Sequence, residues 1–363
     1  MTSIQTVRKI VNYFIDNGNT VNLGLIDIRR AFDKTSVYGI LHKLQEKSIN
    51  AHVLKVLESL MCHSCISVQW NDVLSKKVCL TSGVKQGGIL SPILFAFYID
   101  CVLDKLENSG IGCYIGIQCF NSYLYADDLI VLSLSVTDMQ KLFNICDKAF
   151  QEIDLSINIT KSHCIRIGPR FSQPCKEIML KSQKISWEKE AKFLGVVIVS
   201  GKLFFCNWHE SKGKFYRASN SILGKLGSNP AIDVSLALVK SQCIPALVYG
   251  MSAIALSKND INKLTFTYNS IFCKLFKSND VWTIKYCQYF CNVLPFVNLL
   301  DYNRYCFLNK LFVNGLLCSD SATDKCDYFE MIALRVKYNL LFSDSSNCIK
   351  SKVWRIVAEQ LNV

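Results

Sequence analysis

Acidic residues are in short supply. Against 41 Lys and Arg, the 363-residue chain has only 29 Asp and Glu, a net charge of +12. That balance suits a polyanionic partner such as nucleic acid, although a solvated basic surface gives the same total. The excess is local: Lys161 to Lys225 holds 13 basic and 4 acidic residues, so +9 of the charge lies there. Long apolar runs are also missing. The longest, Cys243 to Leu256, is preceded by Lys240 and falls short of the ~20 residues a bilayer span needs, so no membrane association is expected. The opening Met1-Thr2-Ser3-Ile4 carries no secretory signal, and the 18 cysteines are expected to be reduced, mostly buried thiols of an intracellular protein without a disulfide framework. Finally, Cys62-His63-Ser64-Cys65 has zinc-ligand spacing, but no second pair follows it, and His52 and Cys79 fit no known pattern. Structural thiols are the favoured reading there.

What is present is enough apolar sequence, half of all residues, for a large interior divided among two or three subdomains. Ile4, Val7, Ile10, Val11, Phe14 and Ile15 recur at helical spacing before Asn17-Gly18-Asn19 stops the helix. Val21 to Ile28 reads as a strand buried on both faces that delivers Asp27 near its end. Helical patterns follow through Val37 to Leu44 and Val53 to Leu60, then a hairpin from Ile66 to Leu80. The loop from Thr81 to Pro92 carries Gly83, Gly87 and Gly88 with Gln86 beside them, and Ser91-Pro92 reads as an N-cap and first helical residue. Phe120 to Tyr125 and Leu129 to Leu134 are apolar runs separated by a tight turn, which makes a hairpin tipped by Asp127 and Asp128. An amphipathic helix covers Met139 to Phe150, Leu155 to Ile167 is strand-like, and Ala191 to Ile198 reads as one further strand. Beyond Phe205 the pattern is helical. Asn229-Pro230 starts one helix, Pro245 ends or kinks it, and Ile261, Leu264, Tyr268, Ile271 and Leu275 form a stripe in the next. The fold class is therefore α+β.

Two adjacent ionised aspartates repel, so a fold that sets them between apolar strands usually holds a cation there, and oxygen-only ligands favour Mg²⁺ or Mn²⁺. An Asp-Asp surface turn would read the same. Asp27, at the end of another buried strand, weighs against that alternative. Two metal ions about 4 Å apart on such carboxylates align a 3′-hydroxyl with an α-phosphate, which is the chemistry of nucleotidyl transfer.

At these residues the chain resembles the reverse transcriptases of non-LTR, LINE-type retrotransposons. Leu25-Ile26-Asp27-Ile28-Arg29-Arg30-Ala31-Phe32-Asp33 looks like motif A, Gly83-Val84-Lys85-Gln86-Gly87-Gly88-Ile89-Leu90-Ser91-Pro92 like motif B, and Tyr125-Ala126-Asp127-Asp128 like motif C. Asn158-Ile159-Thr160-Lys161 resembles motif D and Phe193-Leu194-Gly195 motif E, the primer grip. The resemblance implies an RNA-directed DNA polymerase with two Mg²⁺ ions, Mn²⁺ being the alternative. Its partners would be an RNA template, a DNA primer and dNTPs. Asp27 and Asp127 would be the main metal ligands and Asp128 the supporting one. Phe32 would be the steric gate against ribonucleotides, with Gly83, Gln86, Gly87 and Tyr125 at the nucleotide and template. Lys161 would serve the pyrophosphate, unless it is a plain surface lysine. Asp33 would cap a helix.

The implied architecture is a right-hand polymerase palm over 1–200, an antiparallel sheet packed on helices, then an all-α thumb over 201–290 and a helical region over 291–363. Cytoplasm and nucleus are the implied locations. The family's fingers precede motif A, and this chain begins too late to contain them. Neither an endonuclease nor a terminal Cys-Cys-His-Cys knuckle is seen, so a truncated copy with weak turnover of its own is expected. The contrasting expectation is a silent remnant that only binds nucleic acid through Lys161 to Lys225.

Overall fold

The strand at the centre of the fold is the one the sequence leaves almost without polar residues. In the computed structural model, which describes residues 2–227, 231–318 and 323–363, the first six residues of Val21–Asp27 are buried. The chain divides into two units, one of Phe14–Leu194 with Ile198–Phe204, the other of Met1–Tyr13, Gly195–Val197 and Phe205–Val363.

In the first unit, Val21–Asp27 pairs antiparallel with Asp128–Ser133 on one side and with His163–Ile167 on the other. Ser122–Tyr125 extends the sheet at one edge by a hairpin, while Gln183–Trp187 and Ile178–Leu180 extend it at the other. Four of the five strand pairings are antiparallel, but Gln183–Trp187 runs parallel to His163–Ile167, so the expected antiparallel sheet contains one parallel pair. Helices Ser91–Glu107 and Val136–Glu152 supply Phe95, Ile99, Met139, Leu142 and Phe143 to one buried cluster with Ile26 and Val131 of the sheet. Helix-on-sheet packing of this kind is the α+β arrangement expected. Ser135 caps the second of these helices, its Oγ accepting from the Asp138 N–H at 3.0 Å.

Several local expectations change. The run Ala191 to Ile198 is a hairpin, not one strand: Glu190–Phe193 and Val196–Val199 are joined by Leu194 and Gly195, both left-handed at φ 48° and 79°. A mostly apolar run rich in strand-forming residues hid the turn because only Gly195 signals it. Strand structure in Leu155 to Ile167 is confined to His163–Ile167 and a bridge from Ile157 to Ile28. Ser91 lies inside its helix, and its Oγ donates to the Lys85 carbonyl at 2.6 Å; Leu90 occupies the cap position. The cysteines are all free, and the expectation that most are buried is not met, since only Cys113, Cys146, Cys164, Cys206 and Cys243 are buried.

The second unit is helical through His209–Leu226, Lys258–Phe276, Val281–Phe290, Phe296–Val313, Lys325–Tyr338 and Ser346–Leu361. Asn229-Pro230 lies outside the described residues; the next helix begins at Ile232. Pro245 does not end it. A π-helical turn over Val239–Cys243 precedes Ile244–Val248 and accommodates the missing N–H of the proline. Counted as a helical stretch, Ile232–Ala253 is long and apolar enough by length and composition to cross a membrane, a property the shorter apolar run from Cys243 concealed. A core helix passes the same test, and Leu236, Val239, Cys243, Leu247 and Met251 are buried here.

The same unit buries an ion cluster. Asp327, 3 % exposed, receives hydrogen bonds from Gln5 at 2.7 Å, from Arg304 at 2.8 Å and from Arg8. Arg304 also reaches Glu330 at 2.6 Å and the Ser252 carbonyl at 2.7 Å, and Lys9 pairs with Asp324 at 2.6 Å. Burial alone would raise the Asp327 carboxyl, but the charges of Arg8 and Arg304 hold it below the usual carboxylate range.

Gly24 marks a tight contact between the central strand and the helix that covers it. A Cβ there would sit 2.7 Å from Phe143 Cε2, 2.8 Å from Val131 Cγ2 and 2.9 Å from Met139 Sδ. Gly24→Ala is therefore expected to destabilise by about 1–3 kcal/mol through overpacking, outweighing the roughly 0.4–1 kcal/mol gained from a stiffer unfolded chain. Urea unfolding reads this as a lower midpoint at an unchanged slope; an equal or higher midpoint contradicts the packing.

Candidate active site at the end of the central strand

The ladder register decides which residues meet. Asp27 lies opposite Asp128, and Asp128 lies opposite Tyr125 on its other side, so the three occupy one row across adjacent strands. Between Tyr125 and Asp128 only Ala126 and Asp127 remain to make the turn, and Ala126 takes it at φ 54°, a left-handed conformation costly for a residue with a Cβ. Asp127 is thus next to Asp128 at the tip, while Asp128 is the carboxylate directly across from Asp27.

The charges are felt. The Asp128 carboxyl is pushed above its ordinary range, first by burial and then by the charges of Asp127 and Asp27; a hydrogen bond from the Leu194 N–H partly offsets them. Asp27 is held from the turn that precedes His163–Ile167. Asn158 donates twice, from its backbone N–H to the Asp27 carbonyl at 2.8 Å and from Nδ2 to Asp27 Oδ2 at 2.9 Å. The Asp27 N–H donates to Ser162 Oγ at 3.1 Å, and that hydroxyl donates to the Asn158 carbonyl at 2.8 Å. Lys161 shares this turn, its N–H donating to the Asn158 carbonyl at 3.2 Å, but its side chain is exposed and is not brought onto the carboxylates by any ion pair among the described residues.

The glycine loop is moored to the turn after Asp27. Gly83 and Val84 donate to the Thr35 and Phe32 carbonyls, each at 2.8 Å. A Cβ on Gly83, at φ 87°, would meet the Asp33 and Phe32 carbonyl oxygens at 2.8 Å, so only glycine lets the two segments touch. Gln86 Nε2 donates to Asp33 Oδ1 at 3.0 Å. Asp33 is inside the helix Ala31–Lys34, whose cap position belongs to Arg30 in a left-handed conformation without a side-chain cap; the expected capping role is replaced by this hold on Gln86. Gly87, at φ 82°, has open space where a Cβ would stand.

Phe32, Pro92, Ile93, Ala96, Phe97, Asp100, Tyr125 and Ala126 line an open pocket of about 570 Å³. The Phe32 ring is steadied by Phe95, with centroids 4.9 Å apart. Segments that are distant in sequence, the turn after Asp27, the start of helix Ser91–Glu107 and the Asp127-Asp128 hairpin, share this one concavity. At the other hairpin Phe193 is buried and Leu194 reaches Asp128 through its N–H, while Gly195 leaves room for the Tyr249 ring, whose Cε1 would be 2.9 Å from a Cβ.

As ligands, three carboxylates with no cationic side chain paired to them among the described residues suit a hard divalent ion. They do not form a finished cage: among the described residues no three His, Cys, Asp or Glu side chains gather closely enough to hold a metal. That statement covers Cys62 and Cys65 too. Ser162 and the Leu194 N–H are the positioning groups the sequence did not reveal. A serine after a lysine and a backbone amide in a turn carry no pattern of their own.

Residues 3–198 match the reverse transcriptase (RNA-dependent DNA polymerase) family. The chain belongs to that family. Among curated relatives, the chain is 24 % identical over 263 residues to the Pol polyprotein of the type-1 retrotransposable element R2 of Popillia japonica, covering 68 % of this chain and 36 % of that protein. It is 25 % identical over 196 residues to the R2DM polyprotein of Drosophila melanogaster, covering 52 % and 18 %. To the probable RNA-directed DNA polymerase of the Drosophila melanogaster X-element it is 22 % identical over 207 residues, covering 54 % and 22 %. It thus spans about a third or less of the length of these relatives. The resemblance to non-LTR reverse transcriptases drawn from the motifs is borne out. A solved telomerase from Candida albicans superposes with a TM-score of 0.47 at 12 % identity, covering 90 % of this chain and 52 % of that one.

A carboxyl whose pKa is higher folded than unfolded weakens the fold as pH rises through the carboxylate range, because the unfolded chain releases its proton first. In chelator, Asp128→Asn is therefore expected to melt above the parent at pH 7. The difference should vanish near pH 3, roughly where carboxylates are protonated in both states. A variant that melts lower at pH 7 would show that the three carboxylates do not strain one another.

Proposed function

We propose that this chain carries the catalytic palm of an RNA-directed DNA polymerase, which adds dNTPs to a DNA primer along an RNA template. The observation that supports the reading above all is the pairing of Asp27 with Asp128 across the two central strands, with Asp127 in the adjoining turn, inside a chain of the reverse transcriptase family. Asp27, Asp127 and Asp128 would hold two Mg²⁺ ions, or Mn²⁺. Such ions lower the pKa of the primer 3′-hydroxyl and neutralise charge on the triphosphate.

The remaining work falls to the protein. Asn158 and Ser162 fix Asp27 so that its carboxylate does not swing toward bulk solvent. Phe32, backed by Phe95, walls the pocket where the sugar is received and leaves no room for a 2′-hydroxyl. Tyr125 flanks the same space. The Gly83–Ser91 loop bears on template and incoming nucleotide, with Gln86 kept in place by Asp33 and Gly87 allowing a base to approach the backbone. Lys161 supplies positive charge to the leaving pyrophosphate, and Phe193, Leu194 and Gly195 support the primer end. Helices within 201–290 act as the thumb and receive the duplex, aided by the basic excess from Lys161 to Lys225, whose phosphate contacts make binding weaken with salt.

Primer extension on an RNA template tests the assignment. Asp127→Asn is expected to lower incorporation by roughly 10²–10³-fold or more, the scale on which loss of one transition-state charge partner is felt, with salt-sensitive template binding kept. Retained incorporation removes Asp127 from the site; binding with no incorporation by the parent chain, even in Mg²⁺ or Mn²⁺, favours a nucleic-acid-binding role alone.

Phe32→Val tests the gate separately. Its expected signature is a fall in KM for ribonucleotides with little change in kcat for dNTPs, and an unchanged ribonucleotide KM would move the gate elsewhere.

A further inference from the structure

Cys65 and Cys79 face each other across the short ladder formed by Cys65–Ile66 and Val78–Cys79. Both are exposed, and their Sγ atoms are 3.1 Å apart. The neighbouring hydrogen bond fixes the kind of site they occupy. The Leu80 N–H donates to the Ser64 carbonyl at 2.8 Å, so Ser64 and Leu80 sit at the hydrogen-bonded position and the two cysteines at the adjacent non-hydrogen-bonded one. Opposing side chains approach most closely there, with Cα atoms about 4.5 Å apart, inside the ~4.4–6.8 Å range a disulfide spans.

What the pair controls is set by the next few residues. Ser64 and Leu80, the rung beside the cysteines, line an apolar cavity of about 330 Å³ together with Val37, Val84, Leu90 and Leu94. That cavity lies under the Gly83–Ser91 loop. The strand bearing Cys79 therefore feeds straight into the loop whose Val84 and Gln86 are hydrogen-bonded to Phe32 and Asp33.

We propose that Cys65 and Cys79 are a redox-active dithiol that a low-molecular-weight disulfide converts to a cross-strand disulfide, pinning the strand that leads into the Gly83–Ser91 loop. In the first step one cysteine thiolate attacks a sulfur of the small disulfide, forming a mixed disulfide and releasing one thiolate, which takes up the proton the cysteine lost. The second cysteine, deprotonated in turn, attacks the protein sulfur of the mixed disulfide and releases the second small thiol. Two electrons pass from the cysteine pair to the small disulfide, one S–S bond is exchanged for another, and no net proton is gained or lost. The hydrogen bond with Cys79, with desolvation, raises the Cys65 thiol, and Lys77 and Lys85 only partly offset this, so oxidation quickens as pH rises. The assignment stands apart from the polymerase reading, since it is tested on thiols alone.

The test equilibrates the intact chain against mixtures of reduced and oxidised glutathione, alkylates the remaining thiols and quantifies peptides by mass spectrometry. A Cys65–Cys79 cross-link is expected to form at a glutathione ratio about tenfold more reducing than the one that modifies the exposed Cys318 and Cys326. Cys65→Ser should leave Cys79 able to form only the mixed disulfide. In the oxidised chain, hydrogen exchange at the Leu80 and Val84 amides should slow. Glutathione adducts on both cysteines without a cross-link, or oxidation at the same ratio as Cys318 and Cys326, overturns the proposal. Selectivity that persists in denaturant overturns it as well, because the folded ladder would then not be its cause.

Discussion

The register between Val21–Asp27 and Asp128–Ser133 is the constraint on which the rest of the site depends. Side chains alternate along a strand, so a slip of one residue would swap the faces on which one strand's side chains pack and separate Asp27 from Asp128. The apolar content of both strands, packed on Phe143 and Phe95, makes that slip expensive. Burial energy from residues with no chemical role thus holds two like charges opposite each other, against their own repulsion.

The cost of that arrangement is contained by neutral donors. Asp27 receives the Asn158 side chain and Asp128 the Leu194 amide, and neither is given a permanent cationic partner among the described residues. Hydrogen bonds to a carboxylate stabilise its charged form without cancelling the charge. A lysine or arginine in the same place would have quenched the affinity for a divalent ion. Asn158 and Leu194 come from different turns, so two otherwise separate loops are recruited to one end of the sheet.

Much of this was legible in the sequence, for identifiable reasons. The strand ending at Asp27, the hairpin ending at Asp128 and the helices Ser91–Glu107 and Val136–Glu152 announce themselves by apolar periodicity, which the structure converts directly into burial. The motif residues around Phe32, Gln86 and Tyr125 are legible through the resemblance to the reverse transcriptase family. Illegible features were those with no period. The Leu194-Gly195 turn interrupts a run of strand-forming residues, Ser91 and Asp33 carry capping chemistry but spend it on Lys85 and Gln86, and Pro245 is absorbed by a π-helical turn. Local rules name what a residue can do; tertiary neighbours decide which option is taken.

The ion cluster around Asp327 has a temporal side. Arg8 and Asp327 are 319 positions apart, so a growing polypeptide makes Arg8, Lys9 and Gln5 long before it makes the carboxylates that receive them. Until then these groups stay hydrated, and the helix Thr2–Asp16 lacks the partner surface that buries its polar edge. Sequence-distant contacts form slowly, since a long loop must close first. This helix is therefore made well before the surface that locks it and is among the last segments to be fixed.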